Sequence, residues 1–204
     1  KSLFEALTYE QASRRNVVIV GRGAQVVLHG LPGVFSVGFV ASRDVRIKRL
    51  MQKLSVSQED AEYYLDKYDL ERTRLIKIVF GTDPTDVLLY DLLVNTDHYT
   101  AENAADLVAH AIEKVEKIPD ADAMAEKLKH MALANRVEAL VRKKLSSAAA
   151  QHIDMSAEAG GRIIISGHVR ERSQKEKIAH LAASFPGVTQ VDNQLKVTDL
   201  TFGV

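Results

Sequence analysis

The sequence predicts an α/β protein: a mostly parallel sheet covered by helices, followed by a small α+β module. Three observations carry this. Short apolar runs bounded by turn residues (Asn16–Val20, Val34–Ala41, Val87–Val94) alternate with helical stretches, the pattern of parallel strands joined by helical crossovers. Pro119-Asp120-Ala121-Asp122 marks a boundary at which that alternation stops. Beyond it, a long helical stretch leads into short strands and one amphipathic helix.

Each element follows from local signals. Asn16–Val20 is a compact apolar run closed by Gly21-Arg22-Gly23, which reads as a buried strand feeding a tight turn. Ala24–Leu28 starts a short helix, and Leu31-Pro32-Gly33 breaks it. Val34–Ala41 is a second strand. Ser42 is a good N-cap, Asp44 suits the first turn, and Arg43–Leu54 follows as a helix. Ser57-Gln58-Glu59-Asp60 repeats the start signal for a helix that runs to Phe80, where Gly81 stops it. Asp83-Pro84 turns the chain into a third strand, Val87–Val94. Thr100 caps a helix over Ala101–Lys117, with Ala105, Val108, Ile112 and Val115 at helical spacing.

After the boundary a helix over Ala123–Ser147 connects rigidly to strands at Ile153–Ala157, Arg162–His168 and Val188–Val197. Helix Ser173–Ser184 lies between the last two, with Ile178, Leu181 and Ala182 on one face, and Pro186-Gly187 turns it into the final strand. Ile163 and Ile165 alternate with Ile164 and Ser166, so one sheet face packs on helices and the other is partly wet. The reading gives two domains, residues 1–118 and residues 119–204, the second including the connecting helix.

Composition narrows the function. The 204 residues are 46% hydrophobic and 26% charged, as in a soluble globular protein. No apolar run approaches the ~20 residues that a membrane helix needs. With no cysteine, disulfides, thiolate catalysis and thiolate metal sites are excluded. The net charge is zero and neither half has the basic excess of a nucleic-acid binder, so a nucleic-acid partner is not expected. The seven histidines show no metal-ligand spacing, and no metal site is expected. Tyr63, Tyr64, Tyr68 and Phe80 are read as packing residues rather than as stacking platforms for a base.

Charge clusters in the first half. Arg43, Arg46 and Arg49 are spaced i, i+3, i+6 along one side of a short helix, and Arg22 follows a strand, where ligands of open α/β sheets bind. Asp69, Arg72 and Arg74 lie on the next helix, where Asp69 could orient an arginine or accept from a base or ribose. Asp69 and Arg72 also have the i, i+3 spacing of an ordinary helix pair. Arginines from several elements suit the grip of a phosphate, since the planar guanidinium binds phosphate oxygens bidentately and stays charged.

Four motifs carry a resemblance: Val20-Gly-Arg-Gly-Ala24, Arg46-Ile-Lys-Arg-Leu-Met51, Asp69-Leu-Glu-Arg-Thr-Arg74 and Tyr90-Asp-Leu-Leu-Val-Asn-Thr96. In that order and at those separations, residues 14–115 resemble the cytidylate kinase-like family. The resemblance implies a partial P-loop-kinase-like parallel sheet and phosphoryl transfer from ATP, with Mg²⁺, to a pyrimidine nucleoside monophosphate. It implies catalytic lid positions for Arg46 and Arg49, acceptor-nucleotide contacts for Arg22, Asp69, Arg72 and Arg74, and a place for Asn95 and Thr96 near the donor base. No G-x-x-x-x-G-K-[ST] phosphate loop occurs in the sequence. The chain alone is therefore expected to be inactive, being either the C-terminal part of a longer kinase-like protein or the product of a remnant gene. An open sheet edge would favour pairing with a second copy.

Residues 131–197 resemble a BON domain, carried by Asn135–Leu145, Gly161–Val169, Glu176–Ala183 and Phe185–Asn193, with Leu195 and Val197. That implies a binding role toward phospholipid, another hydrophobic ligand or a partner protein, with docking or self-association an equal alternative. Two readings stay open: a kinase whose catalysis belongs to the parent protein, and a non-catalytic binding or scaffold protein with a degenerate kinase half. The expected location is cytoplasmic.

Overall fold

The computed structural model describes residues 1–21, 23–115, 120–145 and 152–198. The elements in chain order are α1 (Ser2–Ala12), α2 (Ala24–Val27), β1 (Val37–Val40), α3 (Arg43–Leu54), α4 (Gln58–Phe80), β2 (Leu92–Asn95), α5 (Ala101–Glu113), α6 (Ala121–Lys144), β3 (Ile153–Glu158), β4 (Arg162–Val169), α7 (Arg172–Ala183), β5 (Gln190–Asn193) and β6 (Lys196–Val197). They divide into two compact units: Val20–Pro119, and Lys1–Ile19 together with Asp120–Val204.

In the first unit β1 and β2 pair in parallel, from Val37 opposite Leu92 to Val40 opposite Asn95. Parallel strands need a long crossover, which α3 and α4 supply. Side chains fix the register at both ends. The Ser36 N–H donates to the Asp91 carboxylate at 2.7 Å, and the Ser42 N–H to Asp97 Oδ1 at 2.7 Å. Ile47 on α3 packs with Ala61 and Leu65 on α4, and Leu50, Met51 and Val56 close around them. The Ser57 hydroxyl accepts the Asp60 N–H at 3.1 Å and starts α4. Gly81 ends it at φ +71°, its N–H donating to the Lys77 carbonyl.

Several strand expectations change here. Asn16–Val20 is not a strand: Val18 is 92% and Val20 86% exposed. Its apolar pattern is that of a sheet strand, but among the described residues no strand lies alongside to take its hydrogen bonds. Strand Val34–Ala41 contracts to β1. Strand Val87–Val94 contracts to β2, because the Asp86 carboxylate accepts the Leu88 N–H at 3.0 Å and winds Val87–Leu89 into a single 3₁₀ turn. The helix expected over Ala101–Lys117 ends at Glu113, and residues 116 and 117 lie outside the described residues.

In the second unit β4 is the central strand. It pairs antiparallel with β3, from Ile153 opposite Gly167 to Glu158 opposite Arg162, and parallel with β5 and β6. Ile163 and Ile165 point to the helices and are fully buried with Val137, Val141, Ile178 and Leu195. The strand expected over Val188–Val197 is broken. Leu195 turns into the core between β5 and β6, and its carbonyl accepts from the Lys175 ammonium at 2.6 Å. Gly167 allows the close approach of β3 to β4: its φ is +117°, and a Cβ there would lie 1.9 Å from the His152 carbonyl oxygen.

The sequence signals no element over residues 1–13, where α1 spans Ser2–Ala12. The sequence groups these residues with the kinase-like half, and in the structure α1 packs against α6 within the second unit. Ala6 and Tyr9 are buried on α1, as are Ala125, Leu128 and Ala132 on α6. Arg136 makes two hydrogen bonds to the Glu10 carboxylate, and Arg15 pairs with Asp122 at 2.8 Å. Helix α6 starts two residues earlier than expected, and residues 146 and 147 of that expectation lie outside the described residues. Among the described residues no helix is long and apolar enough to cross a membrane.

Candidate functional site

The three arginines on one side of α3 all reach out to partners. Arg43 grips Asp66 of α4 through both terminal nitrogens, at 2.5 and 3.1 Å. One turn on, Arg46 grips Asp69 in the same way, at 2.8 and 2.6 Å. The spacing is i, i+3 on both helices, so the two fork-to-fork pairs form successive rungs of a ladder. The hydrogen bonds that Arg43 donates hold the Asp66 carboxyl below the usual aspartate range, and the accepting carboxylates of Asp66 and Asp69 push the guanidinium groups of Arg43 and Arg46 up.

Arg49, a further turn along α3, leaves α4 and reaches the carboxyl end of β2. It donates to Thr96 Oγ1 at 2.9 Å and to the Thr96 carbonyl at 2.6 Å. The Thr96 hydroxyl donates to the Val40 carbonyl at the end of β1. One guanidinium thus ties α3 to the carboxyl ends of both parallel strands, the end at which ligands of open α/β sheets bind. Asn95 is exposed; its carbonyl oxygen accepts the Asp97 N–H, while its amide nitrogen has no partner among the described residues.

Of the residues singled out in the sequence, the fold brings Arg46 to Asp69 and Arg49 to Thr96. Asp69 orients an arginine, but that arginine is Arg46 of the other helix and not its i, i+3 neighbour Arg72. Arg72 and Arg74 are exposed, and no ion pair or hydrogen bond engages them among the described residues. Arg22 lies outside the described residues. Tyr63, Tyr64 and Tyr68 are exposed rather than packed in a core, with the first two meeting edge to face at 5.7 Å. Asp66 was missed in the sequence, although D-x-x-D on α4 repeats the spacing of R-x-x-R on α3.

A depression of about 280 Å³ lies at the other end of the strands, lined in part by His29, Pro32, Ser36, Leu88, Leu89 and Asp91. It carries one acidic side chain and no arginine, so it does not suit a phosphate. Among the described residues, no group of three or more histidine or carboxylate side chains could hold a metal ion.

Residues 3–98 match the model of the cytidylate kinase-like family, and residues 133–199 match that of the BON domain. The chain joins a cytidylate kinase-like segment to a BON domain. It is 27% identical over 118 residues to a cytidylate kinase of Pyrococcus horikoshii, a match covering 58% of this chain and 60% of that protein. It is 26% identical over 110 residues to a cytidylate kinase of Methanocaldococcus jannaschii, covering 53% and 62%. The chain thus spans about three fifths of the length of these relatives. A solved structure of an uncharacterized protein from Eubacterium ventriosum shares the fold, with a TM-score of 0.51 at 22% identity over 54% of this chain and 63% of that one. The whole arginine–aspartate ladder and the Arg49–Thr96 contact fall inside the cytidylate kinase-like segment, and the β3–β6 sheet falls inside the BON domain.

Proposed function

We propose that the cytidylate kinase-like segment is the lid and acceptor part of a nucleoside monophosphate kinase site, binding a pyrimidine nucleoside monophosphate such as CMP. The observation that carries this is the convergence of Arg49 of α3 with Thr96 at the carboxyl ends of β1 and β2, beside the Arg46–Asp69 pair. In this reading Arg46 and Arg49 neutralise charge on the moving phosphoryl group, and Arg72 and Arg74 hold the acceptor phosphate. Asp69 orients Arg46, and Arg22 contacts the acceptor nucleotide. Catalysis of this type is positioning and electrostatic stabilisation, to which guanidinium groups from separate elements contribute.

Donor-nucleotide chemistry fits the residues present less well. Thr96 is committed to Arg49 and Val40, leaving the exposed Asn95 amide as the group able to meet a donor base. Among the described residues the carboxylates do not cluster, so the residues present do not fit Mg²⁺. With no phosphate-loop motif in the sequence, phosphoryl transfer is proposed only for a protein that also supplies such a loop, and this chain alone is proposed to be inactive. A cytoplasmic location belongs to the same proposal.

A second reading has its own support: every arginine of α3 is already occupied by a partner from the same chain. In that reading the segment is a non-catalytic scaffold, and the BON domain binds phospholipid, a small hydrophobic ligand, a partner protein or a second copy. Isothermal titration with CMP and with ATP separates the two. CMP binding that weakens at least tenfold in Arg72→Ala, with helical content unchanged, supports the first reading. Binding of neither nucleotide leaves the second.

A further inference from the structure

We infer that Arg43 and Arg46 together form a two-guanidinium site for a di- or oligophosphate, and that Asp66 and Asp69 occupy it as carboxylate placeholders that an incoming phosphate must displace. The inference rests on the reading of Arg46 as a phosphate ligand and adds Arg43, to which that reading gives no role. Four features of the ladder support it. Both pairs are bidentate, and the fork that grips a carboxylate grips a phosphate in the same geometry. The two arginines are one helical turn apart, about 5 Å along the axis, a separation that a pyrophosphate can bridge. Both pairs are part-exposed, with side-chain accessibilities between 37% and 62%, so a dissolved anion can reach the guanidinium groups without unfolding α3 or α4. The apolar contact of Ile47 with Ala61 and Leu65 holds the two helices together independently of the ladder, so the aspartates can let go while the helix pair stays packed.

The consequence is a latch. A phosphate dianion outcompetes a carboxylate monoanion for the same fork, and the released aspartates turn to water. While they remain in place, they lower the apparent affinity for anions by the strength of the pairs they must give up. Exposed pairs are individually weak, so removing Asp66 alone should tighten anion binding about threefold, and removing both about tenfold.

The test uses the full chain and inorganic pyrophosphate as probe, with affinities measured by isothermal titration and folding monitored by circular dichroism. Asp66→Asn is expected to tighten pyrophosphate about threefold, Asp66→Asn/Asp69→Asn about tenfold, and Arg43→Lys in the double variant to abolish most of the gain. Unchanged or weaker binding in Asp66→Asn overturns the inference. A second readout needs no variant: pyrophosphate should shift the side-chain N–H NMR signals of both Arg43 and Arg46 in the unmodified protein, and signals that stay put under saturation also overturn it. The nucleotide reading fails separately. Pyrophosphate tightened by Asp66→Asn, with no CMP binding in any variant, keeps the latch and removes the nucleotide. CMP bound by the unmodified protein, with a pyrophosphate affinity that Asp66→Asn leaves unmoved, keeps the nucleotide and removes the latch.

Discussion

Gly167→Ala should destabilise the unit that holds the BON domain by about 3 kcal/mol. A Cβ at residue 167 would stand 1.9 Å from the His152 carbonyl oxygen and 3.0 Å from its carbon. That is about 1.4 Å inside the ~3.3 Å at which carbon and oxygen rest. Both atoms are backbone, so no side-chain rotation relieves the overlap; the start of β3 must move away. Moving it lengthens the bond from the His168 N–H to the His152 carbonyl, now 3.1 Å, at a cost of about 1 kcal/mol. Alanine at φ +117° adds a backbone penalty of about 1–3 kcal/mol. Gly160→Ala is the control, because its φ is +74° but nothing lies within 4 Å of the added methyl; it should cost only about 1 kcal/mol. Urea unfolding measures both variants, and hydrogen exchange read by mass spectrometry places the change. Peptides of β3 and β4 should lose protection while those of α3 and α4 keep theirs. A Gly167→Ala cost no greater than that of Gly160→Ala would refute the steric argument, because the clash would then contribute nothing beyond φ.

Leu65→Ala, in the small core between α3 and α4, should cost the first unit about 2–4 kcal/mol by thermal unfolding and leave the exchange of β4 amides unchanged. Arg49→Lys keeps the charge but loses the planar fork whose two nitrogens meet Thr96 Oγ1 and the Thr96 carbonyl, and should raise exchange at the end of β2 with a loss of about 1 kcal/mol. Hydrogen bonds from Arg136 hold the Glu10 carboxyl below the usual glutamate range. The stability this pair contributes is therefore complete above pH ~4.3 and lost as the pH falls from there through the lowered value. Glu10→Gln should flatten that acid-side fall in the melting temperature of the unit containing α1, and an unchanged pH profile would discard the contribution.

Much of the fold was legible because its signals are local. Ser57 and Thr100 cap helices as their positions suggest, Gly81 ends α4 in the left-handed conformation, and Ile163 and Ile165 alternate into a core. The strand over Asn16–Val20 was misread because a strand exists only when a neighbour takes its hydrogen bonds, and apolar content says nothing of neighbours. The Val87–Val94 run was shortened because the Asp86 carboxylate competes with the sheet for the Leu88 N–H. Helix α1 escaped notice because its buried face is built largely of small or polar residues, Ser2, Ala6 and Thr8 beside Tyr9, which give little hydrophobic period.

For the candidate site, the sequence alone determined that guanidinium groups line one side of α3 and that Asp69 was available to orient one of them, because helical periodicity fixes which residues share a face. Only the tertiary structure decided which charge meets which. The packing of α3 on α4 sets the rungs Arg43–Asp66 and Arg46–Asp69, and the β1–β2 register sets where Thr96 meets Arg49. Those partners lie 23 and 47 residues apart in the chain, a distance over which no local propensity acts and only chain folding brings charges together.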